Sequence, residues 1–301
     1  MSFRSGRNAF LVLLAISLIT CSGCSQNKAE ASGTVQSSSA VLSSVAQVSS
    51  AASSSSSGTN TSASEVSSGN STVSSRLPSV KPDPATSVAG SSKSDFSVLD
   101  DAVFIGDSVT LKLKNYVTAK RKTEPGFFGK AQFLAAGSMG SGNALMPLAD
   151  TSIHPPYNGT KLLLEDSVTR MGAKRVYIML GTNDIALYGI DDSVRNMSRL
   201  LARITAKSPN TVIFVQSATP MLAEKQRKEL NNPNLIRYDN ALSRMCKEKN
   251  YYFVDVASAL RDKNGNLPPE YCSDPNDLGI HFTDKACEIW IDYLLTHTVK
   301  H

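Results

Sequence analysis

One stretch decides the fold of this chain: Val103-Phe104-Ile105-Gly106-Asp107-Ser108-Val109-Thr110. A short apolar run ends in Gly-Asp-Ser, and the apolar residues that follow fall mostly on one face of a helix. The pattern predicts a strand, a tight turn and a helix, with Gly106 at the turn because it has no Cβ to obstruct it. Ser108 would then lie at a helix N-terminus, where free N–H groups favour developing negative charge. Ser108 could be a nucleophile, or Asp107 or Ser108 could merely cap the helix. This segment alone favours the cap.

Apolar runs and amphipathic patterns alternate along the rest of the chain. Further strands are predicted at residues 132–136, 175–180, 211–217 and 252–256, and further helices at residues 161–171, 193–206, 236–249 and 283–296. Five short hydrophobic strands separated by helices predict an α/β domain, a three-layer α/β/α sandwich around a five-stranded parallel sheet. Ligands bind beyond the carboxyl ends of such strands, so functional residues are expected directly after them.

The first 24 residues are predicted to be a signal peptide. Two arginines precede Ala9 to Ile19, an apolar run of eleven residues interrupted only by Ser17, which is too short to span a bilayer. Small residues directly before Cys24 resemble a lipobox, so Cys24 is predicted to be lipidated. Cys21 is a poorer position, and an ordinary signal peptide is the alternative. The protein is therefore predicted to be exported and held by a lipid anchor at the extracellular face of the cell membrane or in the cell wall.

Residues 25–95 are predicted to be a disordered tether. Serine accounts for 26 of these 71 residues and there is no aromatic residue, so the segment cannot bury enough apolar surface to fold. Residues 96–301 are long enough for one α/β domain. Their 25 Lys and Arg are interspersed with 22 Asp and Glu, without a basic stripe, so nucleic acid is not expected as a partner.

Polar and glycine-rich segments do follow the predicted strands. They are Gly106-Asp107-Ser108, residues 135–142 and Gly181-Thr182-Asn183-Asp184, and His281 precedes the last helix. This ordered set resembles the SGNH, or GDSL, hydrolase superfamily of esterases, from about Val98 to Leu295. The resemblance implies a flavodoxin-like SGNH hydrolase fold and a serine nucleophile.

Ester cleavage requires a nucleophile, a base within reach and donors aimed at an oxyanion. Ser108 supplies the hydroxyl, and His281 is the natural base, because an imidazole is largely neutral at physiological pH. His154 lies in a Pro-rich loop, where a surface role is predicted. The resemblance implies three oxyanion donors: the backbone N–H of Ser108, the backbone N–H of Gly140 in preference to Gly137, and the side-chain amide of Asn183. Asp107 and Asp184 are predicted to be structural.

The acid departs from the family pattern, which places Asp three residues before the His, where this chain has Leu278. A bulge at Gly279 could bring Asp277 to the imidazole, Asp274 could reach it from a longer loop, or a backbone carbonyl near Leu278 could orient the ring. We favour Asp277, and an orienting group of this kind fixes the imidazole tautomer.

Cys246, Cys272 and Cys287 allow at most one disulfide in the domain. A Cys272–Cys287 bridge would pin the loop that carries His281, but buried free thiols are favoured, because arbitrary cysteine pairs seldom have bridgeable geometry. No Cys/His cluster has metal-ligand spacing and no phosphate-binding Gly-Lys-Ser/Thr is present, so neither a metal nor another cofactor is expected.

The prediction is an exported serine esterase that acts on small, acetyl-type esters of cell-envelope carbohydrate, such as an acetylated glycan, and contacts the membrane only through its anchor. The alternatives are an O-acetyltransferase of surface polysaccharide, a lysophospholipase or lipase-type acylhydrolase, and a catalytically degenerate binding module. The last is motivated by the unusual spacing of the acid.

Overall fold

The computed structural model describes residues 87–299, and the predicted signal peptide, Cys24 and most of the predicted tether lie outside them. The strands are β1 (Ala102–Gly106), β2 (Gln132–Ala135), β3 (Pro156–Tyr157), β4 (Thr160–Lys161), β5 (Arg175–Met179), β6 (Val212–Gln216) and β7 (Tyr252–Val254). The helices are α1 (Ser108–Lys120), α2 (Ser141–Ala144), α3 (Leu164–Met171), α4 (Thr182–Lys207), α5 (Asn232–Lys249), α6 (Ala257–Leu260) and α7 (Asp284–Thr296). Within the described range, no helix combines the length and apolarity needed to cross a bilayer.

Five parallel strands form the central sheet in the order β2-β1-β5-β6-β7, while β3 and β4 form a separate antiparallel hairpin. The predicted α/β fold with a five-stranded parallel sheet is confirmed. From β1 the chain goes first to β2 on one side and then to β5 on the other, so the strand order reverses between β1 and β5. A crevice at such a reversal is where ligands bind in open α/β sheets.

Successive residues of each strand face opposite helical layers. In β1, Val103 and Ile105 pack in the core with α3, α4 and α5, whereas Phe104 packs in the core with α1 and α7. The second core contains a ladder of stacked rings across neighbouring strands, with centroid distances of 4.5–5.1 Å, formed by Phe104, Tyr177, Phe214 and Tyr252. These cross-strand pairs are in register and stabilise the alignment of the four strands.

Helix α4 is longer than its predicted span of residues 193–206. It begins directly after β5 at Thr182 and contains a kink at Gly189, which has a φ of 69°. The first part was missed because it carries Thr, Asn, Asp and Gly rather than an amphipathic repeat. This additional segment, residues 182–192, places Asn183 at the carboxyl end of β5.

The predicted boundary between tether and domain, at residues 95 and 96, is too late. Ser87 forms a parallel bridge with Phe253 of β7, and the N–H of Val88 donates to the Phe253 carbonyl at 3.0 Å. The N–H groups of Ser91 and Ser94 donate to the carbonyls of Thr296 and Leu295 at the end of α7. These contacts use the backbone, so a Ser-rich composition gave no signal for them.

Candidate active site

The turn between β1 and α1 requires glycine. A Cβ on Gly106 would lie 1.9 Å from the Thr110 hydroxyl and 2.8 Å from the Met179 carbonyl, and neither distance is tolerable. Asp107 is the N-cap of α1, and its Oδ1 accepts the Val109 N–H at 2.9 Å. Because Asp107 caps the helix, the Ser108 side chain is not needed for that purpose.

The hydroxyl of Ser108 meets the imidazole of His281. Oγ lies 2.9 Å from Nε2, within hydrogen-bond distance, although the two residues are 173 positions apart. His154 lies elsewhere: it is buried rather than on the surface as predicted, and its Nε2 is 3.2 Å from the Met146 carbonyl. The structure therefore brings together the predicted nucleophile and base, and their catalytic roles stay predictions.

The carboxylate on the other ring nitrogen is Asp274. Its Oδ2 lies 2.7 Å from Nδ1 of His281. The choice of Asp277 is therefore wrong: Asp277 is exposed, and its N–H closes a turn on the Asp274 carbonyl at 3.0 Å. Gly279 does adopt a left-handed φ, of 69°, as a bulge requires, but its N–H also bonds the Asp274 carbonyl, so the turn presents Asp274.

Acid and base lie on one short loop whose ends are paired. Cys272 and Phe282 form an antiparallel bridge, and the Ser273 N–H donates to the His281 carbonyl at 2.8 Å. The loop is also held from outside, since the Leu222 N–H donates to the Gly279 carbonyl at 2.9 Å. The base-bearing loop, residues 272–282, is therefore fixed by backbone bonds on both sides of the imidazole.

The Asp274 carboxylate is held in its ionised form. Partial burial tends to raise its pKa, but hydrogen bonds from the His281 backbone, the imidazole and the Cys272 thiol together bring the pKa below its ordinary value. Oδ1 accepts the N–H groups of Ile280 and His281 at 3.1 and 2.9 Å and faces the Cys272 sulfur at 3.2 Å. An ionised carboxylate at Nδ1 keeps the proton there and leaves the Nε2 lone pair facing Ser108.

Cys272 was considered above only as a possible disulfide partner, and its spacing two residues before Asp274 is too common to signal its contact with that carboxylate. Its thiol is buried, which raises its pKa to about 11. Cys246, Cys272 and Cys287 are all buried free thiols, as favoured above.

Asn183 and Gly140 lie at the same sheet edge as Ser108, but their donors are engaged with the protein. The Asn183 amide nitrogen lies 3.3 Å from Oδ2 of Asp107 and 3.1 Å from the Met139 carbonyl. The Gly140 N–H donates to Oδ1 of Asn143 at 2.8 Å. Asn143 was not singled out from the sequence; the available signal was its position three residues after the N-cap Gly140, which is the spacing of a capping box.

Two buried carboxylates support this edge, in keeping with the structural role predicted for both. Asp184 accepts the N–H groups of Ser141 and Gly142 at 2.8 and 2.9 Å, and burial raises its pKa. Burial also raises the pKa of Asp107, to about 6, against the lowering effects of the Val109 N–H and the nearby His281.

Two surface features lie beside α2 and α4. Four large apolar side chains near α2 and at the start of α4 are 41–71 % exposed: Met146, Leu148, Leu187 and Tyr188. A cleft of about 470 Å³ lies between the first half of α4 and α5. Ile185 and Asp191 line it from α4, and Asn234, Asn240, Arg237 and Arg244 line it from α5.

Comparison with known proteins identifies a family for this chain. A sequence model described as the GDSL-like lipase/acylhydrolase family matches residues 104–289, more than half of the chain. No curated protein matches it. Among solved structures, a GDSL-like lipase from Bacteroides thetaiotaomicron is similar at 18% identity and a TM-score of 0.46, over 63% of this chain and 83% of that one. A catalytic mutant of an acetylxylan esterase from Geobacillus stearothermophilus is similar at 14% identity and a TM-score of 0.46, over 70% and 100%.

Proposed function

Because this chain belongs to the GDSL-like lipase/acylhydrolase family and is a carboxylic ester hydrolase, we propose that it removes small acyl groups, of the acetyl type, from carbohydrate of the cell envelope. The observation that carries the proposal is the continuous line of hydrogen bonds from Ser108 Oγ through His281 to Asp274, at 2.9 and 2.7 Å. This line also removes the reason for a degenerate binding module, since a carboxylate orients the imidazole after all.

In the acylation step, His281 Nε2 takes the proton of the Ser108 hydroxyl as Oγ attacks the ester carbonyl. The carbonyl oxygen becomes an oxyanion, for which the Ser108 N–H, the Asn183 amide and the Gly140 N–H are the proposed donors. The imidazolium, stabilised by Asp274, then gives its proton to the departing sugar oxygen. The C–O bond of the ester breaks and an acyl-serine remains.

Deacylation repeats these transfers with water. His281 removes a proton from water, and the hydroxide oxygen attacks the acyl carbonyl. The second tetrahedral intermediate collapses as the imidazolium returns a proton to Ser108 Oγ. The products are the free carboxylic acid and the original serine.

Two observations support carbohydrate as the alcohol portion. The predicted signal peptide and lipobox-like segment would bring the domain to the envelope, where acylated polysaccharides occur. The cleft between α4 and α5 is lined in part by Ile185, two residues after Asn183. Its arginines and asparagines, with Asp191 and Glu229, offer donors and acceptors that suit a hydroxyl-rich ligand.

A longer acyl chain is the second candidate. It is favoured by the four exposed apolar residues near α2 and at the start of α4. One of them, Tyr188, packs against Gly142, two residues after Gly140. Exposed apolar side chains grouped at a site commonly mark a contact surface for an apolar ligand.

The test is a series of p-nitrophenyl esters from acetate to decanoate, together with acetylated xylan and acetylated peptidoglycan. Wild type is compared with Ser108→Ala and His281→Ala. We expect kcat/KM to be highest for acetate, acetate release from at least one glycan, and a loss of at least about 10³-fold in both variants. A maximum at eight or more carbons would favour the second candidate, and equal rates in wild type and Ser108→Ala would refute the esterase.

The anchor is tested in a bacterial host by cell fractionation of the full chain and of Cys24→Ala. We expect the wild-type protein in the membrane fraction and the variant in the soluble exported fraction. Equal distribution of the two proteins would contradict lipidation at Cys24.

A further inference from the structure

The peptide unit that joins Met139 to Gly140 has both of its polar groups engaged, and on opposite sides. Its carbonyl accepts from the Asn183 amide at 3.1 Å, and its N–H donates to Asn143 Oδ1 at 2.8 Å. The C=O and N–H of a planar trans peptide point in opposite directions. The Gly140 N–H therefore points away from the Asn183 amide, and these two proposed oxyanion donors do not converge on one point.

Asn143 clamps this segment in its present orientation. Its Oδ1 takes the Gly140 N–H, while its Nδ2 donates to the Ser138 carbonyl at 3.0 Å. The next two N–H groups along the chain are held by Asp184. The side chain of Asn143 thus occupies the one donor of this turn that the reaction would use.

Rotation of this single peptide plane would free both donors together. It would break the Gly140–Asn143 bond and the Asn183–Met139 bond, and turn the N–H of Gly140 towards the Asn183 amide. Residue 140 suits such a rotation because glycine adopts φ values of either sign at little cost. A Cβ there would also lie 2.8 Å from Asp184 Oδ1, so the position has room only for glycine.

We propose that Asn143 is a positioning residue that keeps the oxyanion site closed until the substrate's carbonyl oxygen displaces it from the Gly140 N–H. The inference rests on the proposed esterase function. In the free enzyme the amide oxygen of Asn143 stands in for the oxyanion, so each turnover includes the cost of displacing it. An enzyme without this side chain spends less free energy on opening, because a larger fraction of molecules is already competent.

The experiment measures kcat and KM of the full chain on p-nitrophenyl acetate, together with the thermal midpoint Tm. Asn143→Ala is expected to raise kcat/KM about three- to tenfold, the equivalent of one ordinary hydrogen bond, while Tm falls because the capping interaction is lost. A merely structural Asn143 would lower Tm and activity together. Asn231→Ala is the matched control, because it removes the N-cap of α5: its Tm should fall without any rise in kcat/KM.

Asn143→Asp provides a second measurement with the opposite sign. A carboxylate binds the Gly140 N–H more strongly than an amide does and repels an oxyanion, so kcat/KM should fall about 10- to 100-fold. The rate at which a p-nitrophenyl phosphonate modifies Ser108 should follow the same order, fastest in Asn143→Ala and slowest in Asn143→Asp. This order remains a test even if one variant folds poorly on heating.

The proposal is overturned if Asn143→Ala is folded and no faster than wild type, or if Asn143→Asp matches wild type in both assays. In either case Ser108→Ala would still be inactive, and the esterase function would stand. If wild type itself were no faster than Ser108→Ala, both proposals would fall together.

Discussion

Two segments flank Ser108. In both, side-chain oxygens accept hydrogen bonds from backbone N–H groups, but these bonds serve different purposes. The base-bearing loop, residues 272–282, directs its backbone N–H groups at one oxygen of Asp274, which leaves the other oxygen for the imidazole. In the segment around Gly140, the backbone N–H groups are taken by Asn143 and Asp184 instead. The half that holds the acid and the base is therefore preorganised. In the other half, the Gly140 N–H is occupied by a side chain of the protein itself.

The difference shows that a preorganised nucleophile does not imply a preorganised oxyanion site. The N–H donors of the base-bearing loop bind Asp274, which takes part in the proposed reaction. The free energy needed to orient them is therefore supplied by folding. Donors near Gly140 serve the fold, and they become available only when a competing oxygen arrives.

The largest effect is expected for Asp274→Asn. The neutral amide cannot hold the proton at Nδ1 or stabilise the imidazolium, so kcat should fall about 10³- to 10⁴-fold with little change in KM. Steady-state kinetics on p-nitrophenyl acetate measures this. Asp277→Asn, three residues away and exposed, is the control and should stay within about twofold of wild type. A larger loss in Asp277→Asn than in Asp274→Asn would restore Asp277 as the acid.

Asn183→Ala should cost about 10²- to 10³-fold in kcat, since one oxyanion donor is removed. KM should change little, because the bond is made to the transition state rather than to the bound ester. The same assay separates the two constants. A rise in KM at unchanged kcat would mean that Asn183 only binds the substrate.

Asp107 lies between the two segments, and its effect is on stability. Its pKa is raised to about 6, so between pH 4 and 6 the folded state binds more protons than the unfolded state, and the free energy of unfolding falls as pH rises. Asp107→Asn lacks this titration. Its stability relative to wild type should therefore rise between pH 4 and 7, by on the order of 3 kcal/mol. Urea unfolding of both proteins at pH 4, 5, 6 and 7 measures the gap, and a gap independent of pH would contradict the prediction.

The smallest expected effect is the difference in the free energy of unfolding between Gly279→Ala and Gly265→Ala. Both positions have a left-handed φ, of 69° and 83°, so both variants carry the same backbone strain. Only at Gly279 would the new Cβ collide with a neighbour, 2.6 Å from Lys225 Cγ and 3.2 Å from Leu222 Cβ. The extra destabilisation should be about 1–3 kcal/mol, with slower turnover in Gly279→Ala alone. Urea unfolding and kcat test this, and equal behaviour of the two variants would mean that the loop yields freely.

The sequence was sufficient to predict those elements that have a regular pattern of apolar residues. Apolar runs identified all five strands of the sheet, because β1, β5 and β6 are buried on both faces and the edge strands β2 and β7 are largely apolar. The order of the strands predicted that Ser108 and Asn183 would follow strand ends. His281, predicted as the base from its position before α7, lies within hydrogen-bond distance of Ser108.

The remaining features depend on contacts that spacing cannot show. Asp277 was favoured on the expectation of a one-residue bulge at Gly279, but the turn closes through backbone bonds to the Asp274 carbonyl. Nothing in the sequence distinguishes these two turns. The engagement of Gly140 by Asn143 depends equally on one side-chain orientation.

The backbone bonds of residues 87–94 also determine how the domain would carry a mechanical load. Tension on the chain before residue 87 would first meet the bonds to Phe253 in β7 and to the end of α7. Strand β7 is an edge strand, separated from β1 by β5 and β6, and His281 precedes the far end of a 13-residue helix about 20 Å long. Tension would therefore act on β7 and the end of α7 before it reached Ser108, and the site would keep its geometry under any load that leaves these bonds intact.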